Sequence, residues 1–318
     1  MALLEVEKLT VSLPSAAGWV RPVDQVSFEL NRGEVTCIVG ESGCGKSTTA
    51  LALIRLLDDR ANISGSMRFD GQEILGLSEA QMCAIRGNRM SMVFQEPMTA
   101  LNPVKTIGAQ VMGPLLLHTG MNSAQAHMEA ERLLARVGID QAARRMSAYP
   151  HQLSGGQRQR VVIAMALACK PDLIIADEPT TALDTTVQRQ ILDLLLSLVD
   201  ESSIALLLIT HNLAIVSEIA DKVLVMYGGQ VVEAGPAEKV LSCPRHPYTR
   251  GLMNALPRPD APEGLRLIPI AGTVPNLSHM PIGCAFADRC DMAIDACRSG
   301  RPPMRVIESG HAVACIRA

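Results

Sequence analysis

The chain has 318 residues, enough for one large domain with an appendage or for two domains. With 48% hydrophobic and 19% charged residues it is a core-forming sequence and not a disordered one, and only 3% aromatics leave that core aliphatic and Met-rich. A formal net charge of −3 removes any electrostatic case for nucleic acid as the main partner.

The opening MALLEVEKLT carries neither a basic n-region nor a long apolar stretch, so no signal peptide is expected. The longest apolar run, IALLLI at 204–209, falls far short of the ~20 residues that span a bilayer. The expectation is a soluble cytosolic chain with reduced thiols. Residues 3–13 and 20–30 alternate as two strands joined by a loop with Pro14 and Gly18. EVTCIVG (34–40) is a buried strand feeding a glycine turn, and KSTTALALIRLL (46–57) continues as a helix. Helices are expected at 78–86 and 122–137, with GPLL and HTG as breaks between weaker segments. QRQRVVIAMALA (157–168) is amphipathic, DLIIADE (172–178) a buried strand, 185–199 a helix and 203–211 another buried strand. Strands alternating with helices imply a mostly parallel α/β sheet covered on both faces. Past residue 242 prolines recur, at 257, 259, 262 and 269 among others, and long periodic segments disappear. The boundary therefore lies near 240–245, dividing the chain into 1–242 and 243–318.

GESGCGKST (40–48) fits G-x-x-x-x-G-K-[ST] and sits between a predicted strand and a predicted helix, the context that gives the pattern meaning. Its glycines let backbone N–H groups turn onto phosphate oxygens, and the helix N-terminus adds partial positive charge. The candidate nucleotide-binding residues are Gly40, Glu41, Ser42, Gly43, Cys44, Gly45, Lys46, Ser47 and Thr48. Lys46 would reach the β- and γ-phosphates, and Ser47 would supply an oxygen to Mg²⁺. The strand LIIADE ends in Asp177, a candidate Mg²⁺ ligand, and Glu178, a candidate general base for the attacking water. Adjacent strand residues face opposite ways, but a turn at the strand end lets both face the nucleotide.

LSGGQRQR (153–160) resembles the signature of ATP-binding-cassette ATPases, and the order of the other stretches agrees with that family: the phosphate loop, Gln95 in VFQEP, the signature, the acidic strand, ALD at 182–184 and His211 in LITHN. The resemblance covers residues 3–240. It implies a RecA-like parallel-sheet core, an antiparallel β subdomain, a helical signature subdomain at about 96–156, and a small irregular C-terminal extension bearing cysteines. It further implies that Ser154, Gly155, Gly156 and Gln157 close on the γ-phosphate of ATP held by a partner subunit. His211 would contact the γ-phosphate, Gln95 would sense Mg²⁺ and water, and Asp184 would lie at the dimer interface. The family stacks adenine on an aromatic near the end of the first strand. Leu13 stands there in this chain, and Trp19, the only tryptophan, is the alternative.

FQEPMTALNP (94–103), YPHQLSGG (149–156) and RHPYTRGLMNALP (245–257) resemble the branch serving dipeptide, oligopeptide and nickel uptake. This implies an ATP-hydrolysing subunit of an importer of peptides, or alternatively of nickel, glutathione or a metallophore. A soluble, non-transport ATPase of the same family is the reading from another class. The implied partners are a second homologous ATPase subunit, two transmembrane permease subunits and, through the complex, an extracytoplasmic solute-binding protein. Location at the cytoplasmic face of the cell membrane follows from the same resemblance.

Four of nine cysteines, Cys284, Cys290, Cys297 and Cys315, crowd the C-terminal segment at wide spacing. Structural zinc favours tight C-x2–4-C pairs, and none occurs here. Four widely spaced thiolates suit a [4Fe–4S] cluster, which the resemblance to the peptide-uptake branch also implies. Zinc is the alternative, and free thiols or disulfides a third.

Overall fold

The computed structural model describes residues 2–16, 18–181, 183–256, 269–308 and 310–318. Ala182 of the ALD stretch, and Pro257, Pro259 and Pro262 of the proline-rich texture, lie outside them. The chain divides into two compact units, residues 1–30, 35–75 and 209–318 forming one and residues 31–34 and 76–208 the other.

In the first unit, β1 (Leu4–Ser15) and β2 (Gly18–Leu30) form a long antiparallel hairpin. They are followed by β3 (Val35–Val39), α1 (Lys46–Leu53), β4 (Asn62–Phe69) and β5 (Gln72–Glu73). One sheet has the order β2-β1-β4-β5 and is antiparallel throughout. Every residue of β3 is buried, as expected of an apolar strand packed on both faces.

The second unit begins with α2 (Glu79–Ile85) and β6 (Met90–Val93). The helices α3 (Pro97–Ala100), α4 (Ile107–His118), α5 (Ser123–Arg136), α6 (Ala142–Arg145) and α7 (Gly155–Leu167) come next. It closes with β7 (Leu173–Asp177), α8 (Thr185–Ser202) and β8 (Ala205–Ile209), giving the strand order β8-β7-β6 with β6 and β7 parallel. Both β7 and β8 are buried along their whole length. One sequence expectation fails here. GPLL does not interrupt a helix, because α4 runs through Pro114 to His118. Proline deletes one N–H and one helical bond, a cost of ~3 kcal/mol in a helix interior. Capping by Thr106, whose hydroxyl accepts the Ala109 N–H, and burial of Ile107, Val111 and Leu115 hold the helix together regardless.

The first unit resumes with α9 (Leu213–Ile219), β9 (Lys222–Tyr227), β10 (Gln230–Pro236), α10 (Ala237–Ser242) and α11 (Pro247–Asn254). The C-terminal segment then adds α12 (Asp295–Ser299), β11 (Arg305–Glu308) and β12 (His311–Val313). It is less irregular than the sequence suggests. The β11–β12 hairpin extends a sheet in the order β11-β12-β10-β9-β3, with β12 antiparallel to β10 and β3 parallel to β9. The fully buried carboxylate of Glu233 fastens this edge. It accepts the backbone N–H groups of Arg245 (2.7 Å) and His246 (2.9 Å), and Nε2 of buried His311 at 2.7 Å. A buried carboxylate is tolerable only when its oxygens are saturated in this way.

Candidate nucleotide site

The phosphate loop joins β3 to α1. Gly40, Gly43 and Gly45 all have positive φ. A Cβ at Gly45 would sit 1.9 Å from the Pro22 carbonyl oxygen, and one at Gly40 would sit 2.2 Å from that of Met226, so both glycines are sterically required. Gly45 caps α1 without any side-chain bond, so no side chain covers the positive end of the helix dipole there. Lys46 is 5% exposed, and its Nζ donates to the carbonyls of Gly40 (2.8 Å) and Glu41 (3.0 Å). Ser47 is exposed at the helix start. Thr49, one turn on from the cap, donates its hydroxyl to the Gly45 carbonyl at 2.9 Å. The Cys44 side chain is buried, and burial raises its pKa despite the nearby Lys46 ammonium, which suppresses thiolate chemistry. His211 is exposed between β8 and α9 in this same unit.

The second unit holds the remaining candidates. Buried Asp177 ends β7, and the chain turns at once: Glu178 has φ 44°, in the left-handed region that a glutamate rarely adopts. Its Oε2 accepts from Gln95 Nε2 at 3.1 Å and from the Thr181 hydroxyl at 3.0 Å. The glutamine and the acid strand, over 80 residues apart in sequence, are thus joined side chain to side chain. Thr181 is a neighbour that the sequence reading did not single out. Ser154 caps α7: its hydroxyl accepts the Gln157 N–H at 3.3 Å, and the Gln157 side chain accepts the Ser154 N–H at 3.1 Å. S-G-G-Q has the spacing of a capping box, so this part was open to sequence reasoning. Gly155 is exposed and Gly156 half-buried; a Cβ on Gly156 would meet Val187 Cγ1 at 2.7 Å. Asp184 caps α8 by accepting the Val187 N–H at 2.9 Å.

The four C-terminal cysteines are all free thiols, Cys284 and Cys290 half-buried, Cys297 and Cys315 buried. Burial raises the Cys284 thiol first, and each of the other three lies near enough to raise it further. The Cys284 N–H donates to the Cys297 carbonyl at 2.8 Å. Among the described residues, no three His, Cys, Asp or Glu side chains are arranged to hold a metal ion as they stand.

Comparison with known proteins agrees with this picture. The model of the ABC transporter family matches residues 23–181, and that of the oligopeptide/dipeptide transporter C-terminal region matches residues 232–297. The oligopeptide transport ATP-binding protein OppD of Salmonella typhimurium is 49% identical over 99% of this chain and 93% of its own length. Its Escherichia coli counterpart is also 49% identical, with the same shares covered. The chain belongs to the ABC transporter family. Among solved structures, a post-hydrolysis dimer of the cassette MJ0796 with ADP and Pi is similar at TM-score 0.67 and 28% identity, covering 74% of this chain and 98% of that one. CbiO1 from Clostridium perfringens, part of a cbiONQ transporter complex, is similar at TM-score 0.64 and 28% identity over 76% of this chain and 91% of that one. The chain is an ABC ATPase cassette with an oligopeptide-transporter-type C-terminal region, and the soluble non-transport reading is not favoured.

Proposed function

We propose that this cassette hydrolyses ATP to drive peptide import through a membrane complex. The observation that carries this is full-length similarity to an oligopeptide transport ATP-binding protein, C-terminal region included. Each candidate residue has chemistry that suits its role. The glycine-capped start of α1 and the lysine in its first turn suit the β- and γ-phosphates. Hydroxyl, amide and carboxylate oxygens from Ser47, Gln95 and Asp177 are the hard donors that Mg²⁺ prefers, and the ion would neutralise phosphate charge. Glu178, oriented by Gln95 and Thr181, takes the proton of the attacking water, while His211 contacts the γ-phosphate. The exposed start of α7 offers its glycine N–H groups to ATP on a second, homologous cassette, with Asp184 at that interface. Trp19 is 62% exposed on β2. It stands three residues before Pro22, whose carbonyl abuts Gly45, which is roughly 10 Å along an extended strand. Leu13, paired with Val20, lies no farther from Pro22, so what favours base stacking by Trp19 is its aromatic ring.

Two permease subunits and a solute-binding protein complete the complex, and the cassette works at the cytoplasmic face of a bacterial cell membrane. No helix among the described residues is long and apolar enough to cross a membrane. The second unit has an apolar groove, lined by Ala109, Met112, Leu116, His127 and Met146, suited to receive a permease helix. The C-terminal thiols suit a [4Fe–4S] cluster by donor chemistry: four free thiols in one segment, with burial first and the neighbouring thiols after it raising Cys284 and Cys290, an effect that a bound cation would offset. Bound iron would stabilise the segment, because ligation energy becomes folding energy. Anaerobically purified protein should then contain about four irons per chain and absorb broadly near ~400 nm; one zinc and no iron would select the alternative.

The decisive test is Glu178→Gln in the reconstituted complex. ATP binding should persist while turnover falls at least ~100-fold, the range of a lost general base. Full turnover would refute the assignment.

A further inference from the structure

The chain has only three tyrosines, four phenylalanines and one tryptophan. Yet Tyr227, Tyr248 and Phe286 meet in one cluster, with ring centroids 4.6, 5.2 and 5.4 Å apart. Tyr227 ends β9, Tyr248 lies in the first turn of α11, and Phe286 follows Cys284 by two residues. Arg289, one residue before Cys290, lies over two of these rings, with Cζ 5.7 Å from the Tyr227 centroid and 5.8 Å from that of Phe286. Its side chain is only 5% exposed.

All of this converges on the second residue of the phosphate loop. The Arg289 guanidinium donates to both Glu41 carboxylate oxygens, at 2.6 and 3.0 Å. Its remaining N–H groups are spent on the carbonyls of Ala271 (2.8 Å) and Ile270 (3.2 Å) and on the Tyr227 hydroxyl (3.3 Å), so the fork is locked in one orientation. The Tyr248 hydroxyl accepts the backbone N–H of Glu41 at 2.8 Å. Glu41 is therefore held by side chain and by backbone, and its carbonyl is one of the two that seat Lys46. The β9–β10 turn reinforces the arrangement: the Gly229 N–H donates to the Cys44 carbonyl at 3.0 Å, and a Cβ on Gly228 would touch Met280 and Ala285 of the C-terminal segment.

We propose that Tyr248 and Arg289 are positioning residues for ATP: by fixing Gly40–Glu41 they hold the phosphate loop and Lys46 in binding-competent shape, so that folding of the C-terminal segment sets the cassette's nucleotide affinity. The proposal rests on ATP binding at the phosphate loop and does not depend on whether the cysteines hold iron. The physical reason is preorganisation. A loop that samples other shapes binds with its intrinsic affinity multiplied by the fraction in the right shape. Arg289 reaches Glu41 across 248 positions of sequence and Tyr248 across 207, so neither is a local feature of the loop.

The test is a fluorescent-ATP titration of the full-length protein, with thermal melting of the same samples. Tyr248→Phe keeps the ring packing and removes only the acceptor. Arg289→Lys keeps the charge and loses the fork; Arg289→Ala loses both. Arg298, paired with Asp288 on the exposed surface of the same segment, supplies the control Arg298→Ala. Arg289→Ala should weaken ATP binding about tenfold, Arg289→Lys nearly as much because an ammonium cannot replace the fork, and Tyr248→Phe about three- to fivefold, while Arg298→Ala should keep full affinity. In the reconstituted complex Arg289→Ala should raise KM for ATP more than it lowers kcat, a split that general loss of folding does not produce. Combining Arg289→Ala with Glu41→Ala should add little to either alone, since both break one contact. Normal affinity in both Tyr248→Phe and Arg289→Ala overturns the proposal, and so does an equal loss in Arg298→Ala. Should Arg289→Ala not fold, Tyr248→Phe decides alone. Lys46→Ala run alongside separates the two levels of the argument: if it too bound ATP normally, the error would lie in the ATP site itself.

Discussion

Two helix N-termini in this chain are assigned to the same chemical group, a phosphate, and they are built in opposite ways. The start of α1 has a glycine cap with no side-chain bond, three glycines at positive φ before it and a buried lysine inside it. The start of α7 is closed by a complete capping box, is exposed, and has no lysine in its first turn. The first is a helix end with no side-chain cap, its dipole facing the glycine loop and a full charge alongside. The second satisfies part of its own hydrogen bonding and offers only dipole and glycine N–H groups. Such an end is expected to bind ATP only weakly by itself. It suits a group that responds to ATP already bound elsewhere.

Substitutions can break this contrast, and the largest effect is expected at the weaker end. Ser154→Arg removes the cap and places a bulky cation where the γ-phosphate should arrive. Hydrolysis by the complex should fall ~100- to 1,000-fold, the cost of losing a preorganised donor site, while ATP binding by the isolated subunit stays normal; lost binding there would equate the two ends. Lys46→Ala should act the other way, weakening ATP binding about 100-fold through loss of charge-assisted bonds to phosphate, as read by equilibrium titration. Gly45→Ala should cost at least ~10-fold in the same titration, because its Cβ meets a backbone carbonyl that cannot yield without moving β2. Ser154→Ala should lower ATPase activity only about fivefold, the equivalent of the ~1 kcal/mol that an N-cap supplies. Gly156→Ala should do less still, roughly twofold, since the obstructing atom is a valine methyl on α8 that can shift. A Gly156→Ala effect as large as that of Gly45→Ala would show that α7 too needs close backbone approach to its ligand.

The phosphate loop was legible because everything defining it is local: an apolar strand, glycines at fixed offsets and a helix within fifteen residues. The acid strand was legible for the same reason, as a buried run ending in two carboxylates. Family order named Gln95 and Glu178 as site residues, but no local pattern showed the bond between them. The β11–β12 hairpin was missed because its strands are four and three residues long, too short for periodicity to register. Pro114 was read as a stop because propensity is local, whereas the packing of Ile107, Val111 and Leu115 that overrides it is tertiary. Arg289 carried no signal, and Tyr248 was read only as part of the RHPYTRGLMNALP stretch: their link to the phosphate loop exists only when the fold brings them to Glu41.

The Glu233–His311 pair has a consequence in time. The ribosome makes the carboxylate 78 residues before the imidazole that completes its shell, and at about 5–20 residues per second that gap is roughly 4–16 s. Throughout that interval the edge of β10 has no β12 to pair with, and an acid destined for a dry interior has to stay in water. The nascent cassette therefore cannot close its sheet vectorially from its N-terminus; the final step of its folding is queued behind synthesis of the segment that bears the cysteines.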